Sequence, residues 1–280
     1  MTKQFLLLLI FTIQLKSFFG QDFQSQLRTN AVKIDALETL DSRIYEELKE
    51  FHLIMIGEMH GTNEPAEFLA GLAELFTSYG DTVQVGFEIP SEKMNAFNPS
   101  KDSSVFYSAF FTKKTNDGRA TKAWANAINQ LAKNAAIHVF FYDVNESANP
   151  DYHNRDSLMF LNIKRRLKDH PNWRTITLSG NIHNMRQPFK KQVTTAYLLC
   201  QDKTLSLSHK ICTLNHLYHQ GTMLNNVGNG LELRKVENQA SIFSETFRFD
   251  NYLILFEQMK NYNGFIFTRQ VTAAELMDSE

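Results

Sequence analysis

Cysteine is nearly absent from this 280-residue chain: Cys200 and Cys212 are the only two. Two thiols so far apart, with no Cys-x-x-Cys, exclude a zinc ribbon and a disulfide-stapled miniature fold, leaving either one bridge across a hairpin or two buried thiols. Proline and glycine are sparse too, at 6 and 12 residues, which excludes collagen-like and low-complexity chains. No charge sign dominates. With 29 Lys and Arg against 30 Asp and Glu, composition supplies no field to hold a nucleic acid or an anionic membrane. Apolar runs are short: Phe5 to Ile13 falls well below the ~20 residues that span a bilayer, and no longer run follows, so no stable membrane anchor is expected. Signature motifs of several enzyme classes are also missing. There is no HExxH of zinc peptidases, no GxSxG nucleophile elbow, no phosphate loop and no complete GxGxxG.

The amino terminus does carry a pattern. Lys3, the apolar Phe5 to Ile13, and Ser17 and Gly20 before the polar Gln21-Asp22-Phe23-Gln24 read as an export signal over residues 1–20, cleaved near Gly20. The mature chain is then periplasmic or secreted, and residues 21–280, which show no linker, repeat or shift of composition, are expected to form one domain.

Strand and helix patterns alternate along it. Leu37, Leu40, Ile44 and Leu48 recur at helical spacing, as do Phe68, Leu72 and Leu75, then Trp124, Ile128 and Leu131, then Met159, Ile163 and Leu167. Between them lie the apolar runs Leu53 to Ile56, Val83 to Phe87, Ile137 to Tyr142 and Thr175 to Leu178. Continuous apolar strands separated by helices predict an α/β fold, a mostly parallel central sheet with helices on both faces. Thr195 to Leu199, Tyr252 to Phe256 and Gly264 to Phe267 read as further strands, some pairing antiparallel near the C-terminus. Residues 91–134 form a helical insertion whose Phe106, Tyr107, Phe110 and Phe111 either join the core or line an apolar pocket.

In such sheets ligands bind beyond the carboxyl ends of the strands. The first strand runs into Gly57-Glu58-Met59-His60-Gly61, the second into Glu88, the third into Asp143 and the fourth into Gly180-Asn181-Ile182-His183. Neighbouring strands would gather Glu58, His60, Glu88, Asp143, Asn181 and His183 at one edge, with Gly57 and Gly180 supplying tight turns. A carboxylate directly after buried Phe87 costs several kcal/mol unless paired or coordinated, so Glu88 is a strong candidate for function. Imidazole and carboxylate serve equally as proton carriers or as ligands for zinc, manganese or cobalt. His216 and His219, set among strand-like sequence, read as structural or surface residues.

Four segments in order resemble one superfamily, that of the erythromycin esterases, the ChaN haem-binding lipoproteins and the Tiki/TraB metalloproteases. They are Ile56-Gly57-Glu58-Met59-His60-Gly61-Thr62-Asn63-Glu64, Phe87-Glu88, Asn154-Arg155-Asp156-Ser157-Leu158-Met159 and Gly180-Asn181-Ile182-His183. Gly180 stands where the esterase branch usually has a second histidine. The esterase resemblance implies hydrolysis of an ester or amide in a small-molecule or peptide substrate. In it His60 is the general base, Glu58 and Glu88 orient it or act as acids, and Arg155 and His183 bind or polarise the substrate; Asn181 and Asp143, from their places at the strand ends, are candidates to contact the substrate. The Tiki branch implies instead a divalent metal on Glu58, His60 and His183, and the ChaN branch implies a non-catalytic protein holding haem or a metal.

Overall fold

The computed structural model describes residues 21–112, 118–145, 154–207, 210–226, 230–237, 239–240, 243, 246, 250–256 and 259–277. Along them run α1 (Gln21–Asn30), β1 (Ala31–Ile34), α2 (Ser42–Leu48), β2 (Leu53–Glu58), α3 (Glu64–Ser78), β3 (Val83–Pro90), α4 (Lys122–Leu131) and β4 (Ile137–Asp143). There follow α5 (Arg155–Asp169), β5 (Arg174–Gly180), α6 (Thr195–Gln201), β6 (Ile211–Asn226), β7 (Leu231–Val236), β8 (Asn251–Leu255) and β9 (Gly264–Val271). The strands form one sheet in the order β1-β8-β9-β6-β2-β5-β3-β4, with β7 paired to β6. From β9 to β4 every neighbouring pair is parallel, while β1, β8 and β7 add antiparallel. This is the α/β fold the sequence predicts.

Each face of the sheet is covered by helices, which explains why the central strands are apolar on both sides. Ile54 and Ile56 of β2 pack with α3 and α4 in one cluster, and Leu53 and Met55 pack with α5 and α6 in another. Within 91–134, Phe110 and Phe111 are buried core residues, whereas Tyr107 is 74% exposed. Those aromatics therefore do not line one pocket.

Several boundaries depart from the sequence reading. Thr195 to Leu199 is not a strand but the start of α6, capped by Thr194 Oγ1, which accepts from the Tyr197 N–H at 3.2 Å. Its buried Ala196 and Leu199 are three apart, a helical spacing that the short apolar run concealed. No hairpin links the cysteines either: Cys200 lies in α6, Cys212 in β6, and both are free thiols. α2 begins only at Ser42, after Asp41 Oδ1 accepts from the Arg43 N–H at 2.8 Å, so Leu37 and Leu40 are buried outside it. The export-signal segment lies outside the described residues.

Candidate functional site

β2 ends in Glu58, which pairs in register with Gly180 at the end of β5. Beyond it the chain bends at Gly61, whose φ is 103° and whose Cβ, if it had one, would lie 1.7 Å from the Leu224 carbonyl oxygen. Only glycine tolerates both. Just before the bend, His60 Nδ1 lies 2.7 Å from Glu58 Oε1. Trp124 of α4 stands edge-on to the ring at 6.1 Å between centroids. Burial pushes the Glu58 carboxyl up from the ordinary range, with the hydrogen bond and charge of His60 opposing it and Glu88 adding to it. Glu58 Oε2 is buried without a hydrogen bond of normal geometry, the Trp124 indole interacting with the carboxylate only weakly.

Glu88 lies within β3 rather than past its end, and it is buried. Oε1 accepts from Arg119 Nη1 at 2.8 Å and from Arg155 Nη2; Oε2 accepts from the Gly180 backbone N–H at 2.6 Å. Burial opposes its ionisation, but Arg119, His183 and Arg155 outweigh burial and hold the carboxyl well below the usual carboxylate range. Asp143, ending β4, completes the clamp. Its Oδ1 accepts from Arg155 Nε at 2.8 Å, and its Oδ2 accepts from Arg155 Nη2 at 2.8 Å and Arg119 Nη1 at 3.0 Å. Arg155 opens α5, and the carboxylates around it push its pKa further up against the effect of burial.

His183 follows β5 in a single 3-10 turn, Asn181–Asn184. Its Nδ1 lies 2.9 Å from Asp156 Oδ1, which also accepts from Thr195 N at 2.7 Å and Thr195 Oγ1 at 2.8 Å. Its Nε2 is 3.1 Å from Arg155 Nη1. A guanidinium only donates, so in this arrangement Nε2 accepts and the ring proton sits on Nδ1. Burial disfavours the imidazolium, yet Glu88 and Asp156 outweigh it and raise the pKa.

The structure thus gathers Glu58, His60, Glu88, Asp143, Arg155 and His183. The backbone carbonyl of Asn181, in the turn that carries His183, accepts from Tyr262 OH at 2.9 Å. The glycines also act otherwise than the sequence suggests. Gly57 and Gly180 have ordinary backbone angles; what they provide is room. A Cβ on Gly180 would sit 3.1 Å from His60 Nε2 and 3.6 Å from His183 Cδ2, and one on Gly57 would sit 2.9 Å from Asn181 Cα.

Glu58, His60 and His183 do not fit a shared metal. Glu58 holds the Nδ1 side of the His60 ring, opposite Nε2, and His183 Nε2 faces the Arg155 guanidinium. Among the described residues no three His, Cys, Asp or Glu side chains form a group that could hold a metal ion. The other two histidines noted in the sequence are structural. His216 is buried with Nε2 3.0 Å from Thr268 Oγ1, burial bringing its pKa down to about 3, and His219 Nδ1 lies 3.1 Å from the Gln239 carbonyl.

Two further residues belong to the constellation. Asp156 was legible only as the neighbour of Arg155 in the first turn of a helix, where a carboxylate is favoured. Arg119 gave no local signal: its partner Glu88 lies 31 positions earlier, and its Nη1 also reaches the Glu88 carbonyl at 2.7 Å.

The fold has known counterparts. A Bacillus cereus protein superposes with a TM-score of 0.68 at 10% identity, covering 93% of this chain and all of the other. A succinoglycan biosynthesis protein does so at 0.59 and 10%, covering 92% and 100%, and a variant of erythromycin esterase EreC in its open conformation at 0.58 and 11%, covering 86% and 97%. No protein-family model matches the sequence, and no curated protein matches it significantly.

Proposed function

We propose that this protein is a hydrolase in which His60 activates water against an ester or amide. The observation that carries the reading is the 2.7 Å contact of Glu58 Oε1 with His60 Nδ1, which fixes the tautomer and leaves Nε2 as the basic lone pair beside the gap at Gly180. His60 Nε2 takes a proton from water as the oxygen attacks the acyl carbon, and it returns that proton to the leaving oxygen or nitrogen as the acyl bond breaks. Glu58 and Glu88, the latter with Oε2 at 4.0 Å from Nε2, stabilise the transient imidazolium. Arg119 and Arg155 keep Glu88 ionised, so a fixed anion stands beside His60 when it takes up the proton. The fold shared with an erythromycin esterase agrees with this chemistry.

The test is a panel of p-nitrophenyl esters and aryl amides offered to the purified protein. Turnover is expected to need no added metal. A folded preparation that cleaves none of them would sink the reading. We further propose export, on the strength of the amino-terminal pattern; an intact Met1 on secreted or periplasmic material would count against it.

A further inference from the structure

The charges of the site set its substrate class. The site holds four carboxylates, Glu58, Glu88, Asp143 and Asp156, and two guanidiniums, Arg119 and Arg155, and both guanidiniums lie on oxygens of Glu88 and Asp143. With neutral imidazoles the set is formally −2, and each proton taken up, on the Glu58–His60 pair or on His183, makes it less negative by one. The geometry keeps this charge from being screened. Glu58, Glu88 and Asp143 are all buried, and exposure at the mouth belongs to His60, whose side chain is 29% accessible, and in lesser measure to Asp156, Arg155 and His183. Buried charges are screened by salt much less than exposed ones.

We infer that the site accepts an ester or amide whose acyl portion is neutral or cationic and discriminates against one carrying a carboxylate or phosphate near the scissile bond. The inference rests on the hydrolase reading. The arginines do not make an anion pocket, as two arginines at an active site ordinarily suggest; their charge is consumed in holding Glu88 ionised. An anion placed at the acyl position would lie near Glu88 Oε2 and Glu58, with repulsion falling off through a partly desolvated gap, whereas a cation there would gain from the same field.

Three p-nitrophenyl esters of similar length provide the probes: butyrate, hemisuccinate and 4-trimethylammoniobutyrate. At pH 8, above the ordinary imidazole range, and low ionic strength, kcat/KM for the neutral and cationic esters is expected to exceed that for the anionic ester by about tenfold or more. Asp143→Asn removes one negative charge without touching His60, so the neutral-to-anionic ratio should fall several-fold in that variant even if all rates drop. Preferential turnover of the hemisuccinate, or a ratio near unity that Asp143→Asn does not move, overturns the inference and leaves the hydrolase reading standing. Turnover of none of the three by folded protein refutes the hydrolase reading, and the inference falls with it.

Discussion

His60 and His183 present their Nε2 atoms to opposite oxygens of one carboxylate: 4.0 Å from Glu88 Oε2 for His60 and 3.6 Å from Glu88 Oε1 for His183. Each ring also holds a second carboxylate through Nδ1, Glu58 in one case and Asp156 in the other. Two imidazole–carboxylate pairs therefore share a central anion, and that anion is fixed by two arginines and one backbone N–H. A proton arriving on His60 Nε2 meets a negative partner already in place, so no reorganisation is needed at the moment of transfer.

Glu58→Gln separates the chemistry from the fold. The amide keeps the shape and one acceptor for His60 Nδ1 but cannot stabilise an imidazolium, so kcat/KM should fall by at least ~10²-fold. Stability should move the other way. A carboxyl whose folded pKa is raised loses stability as pH climbs from its unfolded pKa, ~4.3, to its folded value, and the penalty persists above that. Glutamine has no such penalty, so the melting temperature at pH 7–8 should equal or exceed wild type. A large drop in melting temperature would contradict the assignment of burial as the dominant influence on Glu58.

Glu88→Gln should show the opposite pH signature. The folded pKa of Glu88 is depressed, so its contribution to stability is complete above ~4.3 and disappears as pH falls through the folded value. At neutral pH the variant leaves Arg119 and Arg155 short of one anion and should lose on the order of 3 kcal/mol, the low end for breaking a buried pair because glutamine retains an acceptor. Denaturant titrations from pH 3 to 7 should show the gap to wild type closing in acid. A gap that stays constant across that range would mean Glu88 titrates normally.

The sequence made the parallel sheet and its edge legible because both depend on local pattern: apolar runs such as Leu53 to Ile56, and the polar residues that stop them. It did not reveal Arg119, since nothing near Gly118 distinguishes a guanidinium aimed at β3 and β4 from one in solvent. It misread Thr195 to Leu199 because five apolar or β-branched residues suit a strand or one buried helical turn, and what decided was tertiary: Thr194 supplied a cap and Thr195 bound Asp156. Gly57 and Gly180 were rightly singled out but for a reason only coordinates supply, the atoms that a Cβ would strike.

That reason separates the two glycines by experiment. On Gly180 a methyl would enter the space beside His60 Nε2 at 3.1 Å, with the backbone in an ordinary conformation. Gly180→Ala should therefore fold normally and lose activity by ~10²-fold, the scale expected when a reacting group is displaced by about an ångström. On Gly57 the methyl meets backbone, Asn181 Cα at 2.9 Å and the Leu214 carbonyl oxygen at 3.2 Å, which cannot swing aside. Gly57→Ala should instead cost ~1–3 kcal/mol of stability, as overpacking does. Equal melting temperatures for the two variants would show that the strands spread more easily than their packing implies.

The sharpest test of His60 uses two substitutions together. His60→Ala removes the base but also strips Glu58 Oε1 of the donor it holds at 2.7 Å, leaving a buried carboxyl with neither oxygen well satisfied. Such a loss costs ~1–3 kcal/mol, so a lower melting temperature is expected and by itself says nothing about catalysis. His60→Asn is different. Its side-chain amide can place an N–H close to where Nδ1 stood, so the bond to Glu58 survives while the Nε2 lone pair is gone. The asparagine variant should melt within a few degrees of wild type and be as inactive as the alanine variant, both at least ~10²-fold down in kcat, the lower bound of what general base catalysis contributes. Calorimetry and ester turnover measured on the same preparations decide it. An asparagine variant that is folded and retains wild-type turnover would remove His60 from the chemistry and leave it as a partner that merely keeps Glu58 satisfied.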